Sequence, residues 1–400
     1  MAPVRSSYRG ISRRAMRKSC LLVVLCFPSL VMGFAGTTLA DHEPAQKTET
    51  TWEAIEHGYP EATFLDVEFI NATHGWVLGE LEEHIPTTII VLGTEDGGDS
   101  WQLLYNKSSQ YATIMDVVDE KTIWINGRGR LFYTIDGGQT WNQSSTTKLN
   151  YSMTTVGFIN KTHGWTAYHW MLYETSDGGD TWESVLGWTF NDNLRMMQFL
   201  SPQVIWAMGF GGIYHSEDGG ETWESTSDRG GWSVSFVSET EGWAIGDDRL
   251  AHTTDGETWE ELPVPERTPF GGFRLPYCTD IHFLDKDHGW IVGDTVDVMY
   301  TPDGGANWYE QTAPEGLSQR MVAVDFNNLT HGWVVGASTI LRTTTGDRLG
   351  TRLWNGLTDR LFQSIIIAAV SIIVVVGGIH AIRRRGKNPQ RELSPAPEIE

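Results

Sequence analysis

Thr94-Glu-Asp-Gly-Gly-Asp-Ser-Trp101 returns along this chain almost letter for letter. It recurs as Thr134-Ile-Asp-Gly-Gly-Gln-Thr-Trp141, Thr175-Ser-Asp-Gly-Gly-Asp-Thr-Trp182, Ser216-Glu-Asp-Gly-Gly-Glu-Thr-Trp223 and Thr301-Pro-Asp-Gly-Gly-Ala-Asn-Trp308. A shortened copy, Thr253-Thr-Asp-Gly-Glu-Thr-Trp259, lacks one glycine. An Asp in such a turn accepts hydrogen bonds from the N–H groups of its own backbone, and glycine supplies the positive φ that the turn needs. Asp96, Asp136, Asp177, Asp218, Asp255 and Asp303 are therefore read as structural, because identical acids spread along a chain cannot converge on one substrate.

Upstream of each turn lies a second signal. Tryptophan recurs at Trp76, Trp124, Trp165, Trp206, Trp243, Trp290 and Trp333, mostly as Gly-Trp. A phenylalanine precedes six of them by seven residues (Phe69, Phe158, Phe199, Phe236, Phe283, Phe326), and Val117 takes the remaining place. Self-similarity at roughly forty residues in strand-like sequence predicts an all-β, seven-bladed propeller of four-stranded sheets. The innermost strand of each blade runs through the Phe, the second carries Gly-Trp, the third ends in the Asp turn and the fourth starts at its Trp. Alternation in the first strand separates two rows. Val67, Met115, Val156, Met197, Val234, Ile281 and Val324 pack between sheets. Glu68, Asp116, Gly157, Gln198, Ser235, His282 and Asp325 face a polar, mildly acidic central channel.

The seventh module has Thr345 where the Asp belongs and no closing Trp, while Thr51-Trp52-Glu53 precedes the first blade with no turn before it. That segment is expected to supply the last blade's missing fourth strand and so close the ring over residues 49–347.

The turn is the Asp box, S/T-x-D-x-G-x-T-W, of bacterial-neuraminidase-repeat propellers. With the seven modules and the His-Gly-Trp phrase, the chain resembles the photosystem II assembly and stability factor family of propellers. That resemblance implies a non-enzymatic scaffold with no cofactor, no catalytic residue and no metal. Nothing in the residues implies photosynthesis, so the scaffold role alone is carried over. Sialidases share the box, and Phe273-Arg-Leu-Pro276 is similar to their Phe/Tyr-Arg-Ile-Pro motif. With Arg195 and Arg320, Arg274 would imitate their carboxylate-gripping triad. In sialidases, however, the motif precedes the first box and the blades number six. A carbohydrate-binding or sialidase-like glycoside hydrolase role is the alternative, and cation binding by Glu68, Asp116 and Asp325 is another.

Residues 1–40 read as a signal peptide: six basic residues and no acid up to Lys18, an apolar run from Leu21 to Phe34, then Thr38-Leu-Ala40. Ser12-Arg-Arg-Ala-Met-Arg-Lys18 resembles a twin-arginine export signal; an uncleaved signal anchor is the competing reading. Residues 361–382 read as a transmembrane helix of roughly 33 Å at 1.5 Å per residue. Arg383, Arg384, Arg385 and Lys387 follow, so tail 383–400 is expected in the cytoplasm and the propeller outside, on a stalk of residues 348–360.

The whole chain is at −22. Without the basic leader and tail, roughly −30 remains on the part between, a field that repels nucleic acid and anionic headgroups. Cys20 and Cys26 fall in the leader, leaving Cys278 with no internal partner. The His of the His-Gly-Trp turns (His74, His163, His288, His331) are read as turn hydrogen bonders, and the sequons at Asn71, Asn160 and Asn328 lie in the same turns. Extra residues gather on the face opposite the Asp boxes, as binding faces of repeat proteins do. Glu80–Thr87 is one insertion, and the connection from Leu262 to Tyr277 carries Arg267, Phe273 and Arg274. With Arg195 and Arg320, these are the candidate binding residues, and the expected partner is a protein of a membrane or envelope complex.

Overall fold

The computed structural model describes residues 51–81, 87–108, 112–127, 129–144, 154–168, 171–185, 194–246, 249–262, 278–293, 298–311, 313–314, 320–348 and 352–354. The chain separates into two compact units, Met1–Thr48 and Glu49–Glu400, and every described residue lies in the second. Its strands form seven antiparallel sheets, six of four strands and one of five. Blade one runs Ala62–Phe69, Gly75–Leu81, Thr88–Thr94 and Gln102–Ser108 in spatial order, and blades two to six repeat that order. The innermost strands of the remaining blades are Met115–Val117, Thr155–Phe158, Leu194–Phe199, Ser233–Phe236, Cys278–Phe283 and Met321–Phe326.

The Phe–Trp spacing is explained by packing between blades rather than within one. In the six blades that have one, the inner-strand Phe stacks on the second-strand Trp of the blade before it. Centroids lie 3.5 Å apart for Phe69 on Trp333, 3.6 Å for Phe326 on Trp290, 3.7 Å for Phe283 on Trp243, 4.0 Å for Phe236 on Trp206 and 4.3 Å for Phe158 on Trp124. Each such pair contributes about 0.5–1.5 kcal/mol beyond its area burial. The Gly before the Trp is needed because the same Phe covers it: a Cβ at Gly75 or Gly332 would lie 2.3 Å from Phe69 or Phe326. The box Trp then meets the Phe edge-on, as Trp101 meets Phe69 and Trp308 meets Phe283.

Each Asp box closes as the turn chemistry demands. In blade one, Thr94 Oγ1 donates to Asp96 Oδ1 at 2.8 Å and accepts from the Gly98 N–H at 2.9 Å. Asp96 also accepts from the Ser100 N–H and hydroxyl, at 2.9 and 2.6 Å. Gly97 and Gly98 sit at φ 75° and 97°, which a side chain would resist. The short box keeps the scheme one residue tighter, with the Gly256 N–H on Thr253 Oγ1 and the Thr258 N–H on Asp255 Oδ1.

The ring closes through the N-terminal segment. Glu53 pairs with Arg342 and Ala54 with Leu341, so Glu53–Ala54 is the outer strand of blade seven. Trp52, 1% exposed, lies edge-on to Phe326 at 5.8 Å, in the place of the absent box Trp. Its indole N–H donates to Gln311 Oε1 at 3.0 Å. Arg342 carries the closure to blade one, donating to Glu53 Oε1 at 2.8 Å, to Asp99 Oδ1 at 2.7 Å and to the Gly97 carbonyl at 3.1 Å. Within the segment read as a stalk, Arg352–Trp354 pairs outside Trp308–Glu310 as a fifth strand of blade six. Among the described residues no helix is long and apolar enough to cross a membrane. The leader 1–40, the apolar run 361–382 and the tail 383–400 all lie outside the described residues.

Candidate functional site

Two places carry the candidate residues: the central channel and the loop face. In the channel, the polar row turns out to bind the blades to each other. Glu68 Oε2 accepts from the Val117 N–H at 2.7 Å, Asp116 Oδ2 from the Phe158 N–H at 3.1 Å, and Asp325 Oδ2 from the Phe69 N–H at 2.6 Å. Gln198 accepts from the Phe236 N–H at 2.8 Å and donates to its carbonyl at 3.0 Å, and Ser235 Oγ accepts from the Phe283 N–H at 2.8 Å. His282 is hydrogen-bonded to the backbone of Phe326 and lies 3.5 Å from Asp325 Oδ1. Six of the seven blades thus reach forward to the next inner strand; Gly157 has no side chain to do so.

A second tier lies beside the first. Asp66 Oδ2 accepts from the Met115 N–H at 2.8 Å, and Asp280 Oδ2 from the Val324 N–H at 2.9 Å. Burial pushes Asp66, Asp116 and Asp325 up to about 7 and Asp280 up to about 6, and it pushes His282 down to about 4. Glu68 is raised well above its ordinary range by burial and by the neighbouring Asp116 and Asp66. The carboxylate oxygens spend lone pairs on backbone donors, and among the described residues no three His, Cys, Asp or Glu side chains gather as a metal site. Asp66 and Asp280 were missed in the sequence because a β-bulge in each strand, at Phe64/Asp66 and Cys278/Asp280, puts them out of the simple alternation.

On the loop face, a bulge between Leu194 and Met196 singles out Arg195. Its guanidinium carbon lies 3.8 Å from the Phe210 ring centroid and 3.9 Å from that of Trp232, in the corner formed by the two rings, which meet edge to face. Such contacts contribute about 0.5–2 kcal/mol each, more as water is excluded. Phe210 sits between the second and third strands of blade four and Trp232 in the connection to blade five; Phe210 is 58% exposed. Neither aromatic was singled out from sequence, although Gly209-Phe-Gly-Gly212 and Gly230-Gly-Trp232 are glycine-flanked aromatics in loops. Arg320 is exposed at the entrance to blade seven's inner strand, and its carbonyl accepts from the Ala337 N–H at 3.4 Å. Arg267, Phe273 and Arg274 lie outside the described residues.

The turn histidines behave as ordinary turn formers. His288 Nδ1 is 2.8 Å from Asp285 Oδ1, while His74 and His331 bond Asn71 and Asn328 in their own turns. His163 instead meets Glu174.

Fold and site define a seven-bladed Asp-box propeller with an aromatic-framed arginine on its loop face. The family model described as Photosynthesis system II assembly factor YCF48 matches residues 44–150 and 273–358. Photosystem II assembly lipoprotein Ycf48 of Synechococcus sp. (strain CC9902) is 33% identical over 78 residues, 19% of this chain and 23% of the relative. Photosystem II stability/assembly factor HCF136 of Cyanidioschyzon merolae is 30% identical over 83 residues, 20% of this chain and 17% of the relative. The chain thus aligns with about a quarter or less of these relatives' length. Among solved structures, YCF48 bound to a D1 peptide superposes with a TM-score of 0.59 at 21% identity, covering 74% of this chain and 97% of that one. A GH74 xyloglucanase from Xanthomonas campestris gives 0.56 at 12% identity, over 77% of this chain and 56% of the enzyme. The chain resembles the photosystem II assembly factor family, and the xyloglucanase shares the fold.

Proposed function

We infer that this chain is a non-enzymatic, protein-binding scaffold that assists assembly or stability of a membrane or envelope complex. The observation that carries the reading is Arg195 held against Phe210 and Trp232 on the loop face, in a propeller whose matched relatives are assembly factors. A guanidinium fixed by two rings presents its edge in one orientation, which suits a backbone carbonyl or carboxylate of a polypeptide. A solved protein of the same fold holds a D1 peptide, which supports a polypeptide ligand for this one.

The propeller is read as extracytoplasmic and anchored by residues 361–382, with the basic tail inside. The apolar run and the arginines directly after it support that placement. Affinity purification of the full chain from its own membranes in mild detergent tests the scaffold, alongside a form carrying Arg195→Ala and Arg320→Ala. A defined membrane complex, weakened at least tenfold in the variant, is expected. Equal capture by both forms would remove the arginines from the interface, and no complex with either would overturn the scaffold reading.

A further inference from the structure

The turn between the first and second strands is closed in every blade by one side-chain oxygen that accepts from two backbone N–H groups. Asp119 Oδ1 takes those of Lys121 and Thr122 in blade two, and Asp285 Oδ1 those of Asp287 and His288 in blade six, all at 2.9 Å. Ser201 Oγ and Ser238 Oγ do the same in blades four and five. Blades one, three and seven use an amide instead, that of Asn71, Asn160 and Asn328. The turn needs only the oxygen, so the amide nitrogen is surplus to it.

The residue two positions on departs in the same three blades. It is Lys121, Gln203, Thr240 or Asp287 where Asp or Ser caps the turn, so the turn itself makes no demand on it. After each Asn it is a threonine, and the hydroxyls of Thr73, Thr162 and Thr330 donate to the Asn Oδ1 at 2.8, 2.9 and 2.8 Å. Ala72, Lys161 and Leu329 stand between, so all three turns read Asn-x-Thr without proline at x. A hydroxyl bonded to the amide oxygen draws charge toward that oxygen and makes the Nδ2 protons easier to lose. Asn160 and Asn328 are exposed and Asn71 is half-buried. Nδ2 of Asn71 and of Asn160 has no partner among the described residues, and that of Asn328 donates to the Asn327 side chain.

The same triplet at Asn106 and Asn142 has another geometry. Both lie in strands, opposite Ile90 and Tyr133, where residues two apart stand about 7 Å from each other. Ser108 Oγ lies 3.0 Å from Thr88 Oγ1, and Ser144, 3% exposed, bonds the Gly179 carbonyl and Trp182 Nε1, so neither hydroxyl serves its Asn. We propose that Asn71, Asn160 and Asn328 accept N-linked oligosaccharide on the folded propeller, and that Asn106 and Asn142 do not. The donor is a lipid-phosphate-linked oligosaccharide. Nδ2 bonds to the anomeric carbon as that carbon's bond to the phosphate oxygen breaks. The lipid phosphate leaves with the electron pair, and the Nδ2 proton passes to a base of the transferase. The proposal rests on the extracytoplasmic reading, because such transfer belongs to translocated chains. The three turns adjoin the Asp-box turns, whose Gly97 and Gly178 N–H groups donate to the Thr73 and Thr162 carbonyls at 2.8 Å; in blade seven the Gly346 N–H donates to the Thr330 carbonyl at 3.0 Å. Sugars there cover the Asp-box side of blades seven, one and three and leave the loop face that carries Arg195 uncovered.

Glycopeptide mass spectrometry of the full chain, purified from its own membranes and digested, tests this. Peptides holding Asn71, Asn160 and Asn328 are expected to carry a sugar mass, and those holding Asn106 and Asn142 none. Thr73→Val replaces the hydroxyl by a methyl group, and occupancy at Asn71 should fall at least tenfold, whereas Thr73→Ser should keep it. Asn71→Asp retains the kind of cap that blades two and six use, so it should lose the sugar while Tm holds. Bare asparagine at any of the three turns, sugar at Asn106 or Asn142, or sugar retained in Thr73→Val would each overturn the proposal. Protease added to intact cells separates this failure from that of the placement. Bare asparagines on a propeller that the protease digests remove the sugar sites alone. Bare asparagines on a propeller that it cannot reach remove the extracytoplasmic reading with them.

Discussion

At the scale of the residue, blade four shows how one substitution forces another. Ile205 stands where most blades have the Gly of Gly-Trp, and it pairs directly across from Phe199. An isoleucine there occupies the space over which the Phe ring folds in other blades. Phe199 lies over Gly157 of blade three instead, where a Cβ would come within 2.2 Å of its ring. Two consequences are visible. The Phe199–Trp165 stack is the loosest of the set at 5.2 Å, and Gly157 cannot supply the forward hydrogen bond that its row supplies elsewhere. Gly157→Asp alone is therefore expected to cost about 1–3 kcal/mol by overpacking. Ile205→Gly alone should cost about 3 kcal/mol through lost burial and backbone entropy. Together they restore the common pattern of the other blades, so their combined cost should fall short of the sum by at least about 1 kcal/mol. Urea unfolding of the four proteins measures this, and strictly additive costs would show that Phe199 is placed by something else.

At the scale of the element, the closing strand is short and its weight rests on side chains. Glu53–Ala54 contributes a two-residue ladder, whereas Trp52 fills the box-Trp position against Phe326 and caps Gln311. Gln311, fully buried, in turn donates to the Gly346 carbonyl at 2.6 Å. Trp52→Ala is expected to cost about 3–5 kcal/mol, the usual range for a buried aromatic. Arg342→Ala should cost only about 1 kcal/mol, because its partners Glu53 and Asp99 are 58% and 68% exposed and solvent screens them. Hydrogen exchange at the Thr339–Thr343 amides distinguishes the two: protection should collapse in the first variant and largely survive in the second. Much of this was legible in the sequence because it is local or periodic. The Asp box bonds within its own turn, and Trp52 is a box residue with no box before it. What could not be read depends on geometry between distant segments. The channel-facing row is recognisably polar, yet nothing in Glu68 tells that its partner is the Val117 N–H. Arg195 could be picked out as a loop-face cation, but Phe210 and Trp232 reach it only through a bulge and two loops. The fifth strand Arg352–Trp354 was invisible, since three residues carry no periodicity.

At the scale of the whole molecule, two sets of carboxylates pull the pH dependence in opposite directions. Asp96 and Asp177 of the boxes are held down at about 2, first by the hydroxyl donors Ser100 and Thr181 and then by the backbone N–H groups of those residues. A lowered acid stabilises the fold above its unfolded pKa, near 4, and that stability is lost as pH falls toward 2. The channel acids run the other way. Asp66, Asp116 and Asp325, raised to about 7, and Asp280, raised to about 6, hold protons in the fold that the unfolded chain has released by pH 5. Their contribution is complete below about pH 4 and is lost as pH climbs through 6 to 7. His282, lowered to about 4, opposes them between its folded value and 6.5, and His57 and His215, lowered by burial, act in the same sense, but with Glu68 five raised acids outweigh the three histidines. Stability should therefore peak on the acid side, near pH 4–5, and Tm should fall by about 5 °C between pH 5 and 8. Asp116→Asn keeps an oxygen for the Phe158 N–H but removes the titration, so it should flatten that fall and leave the acid limb below pH 4 unchanged. Thermal unfolding of both proteins from pH 3 to 9 decides it. A Tm that rises from pH 5 to 8 would mean that the channel carboxylates stay ionised at neutral pH, with the N–H groups of the neighbouring blade outweighing their desolvation.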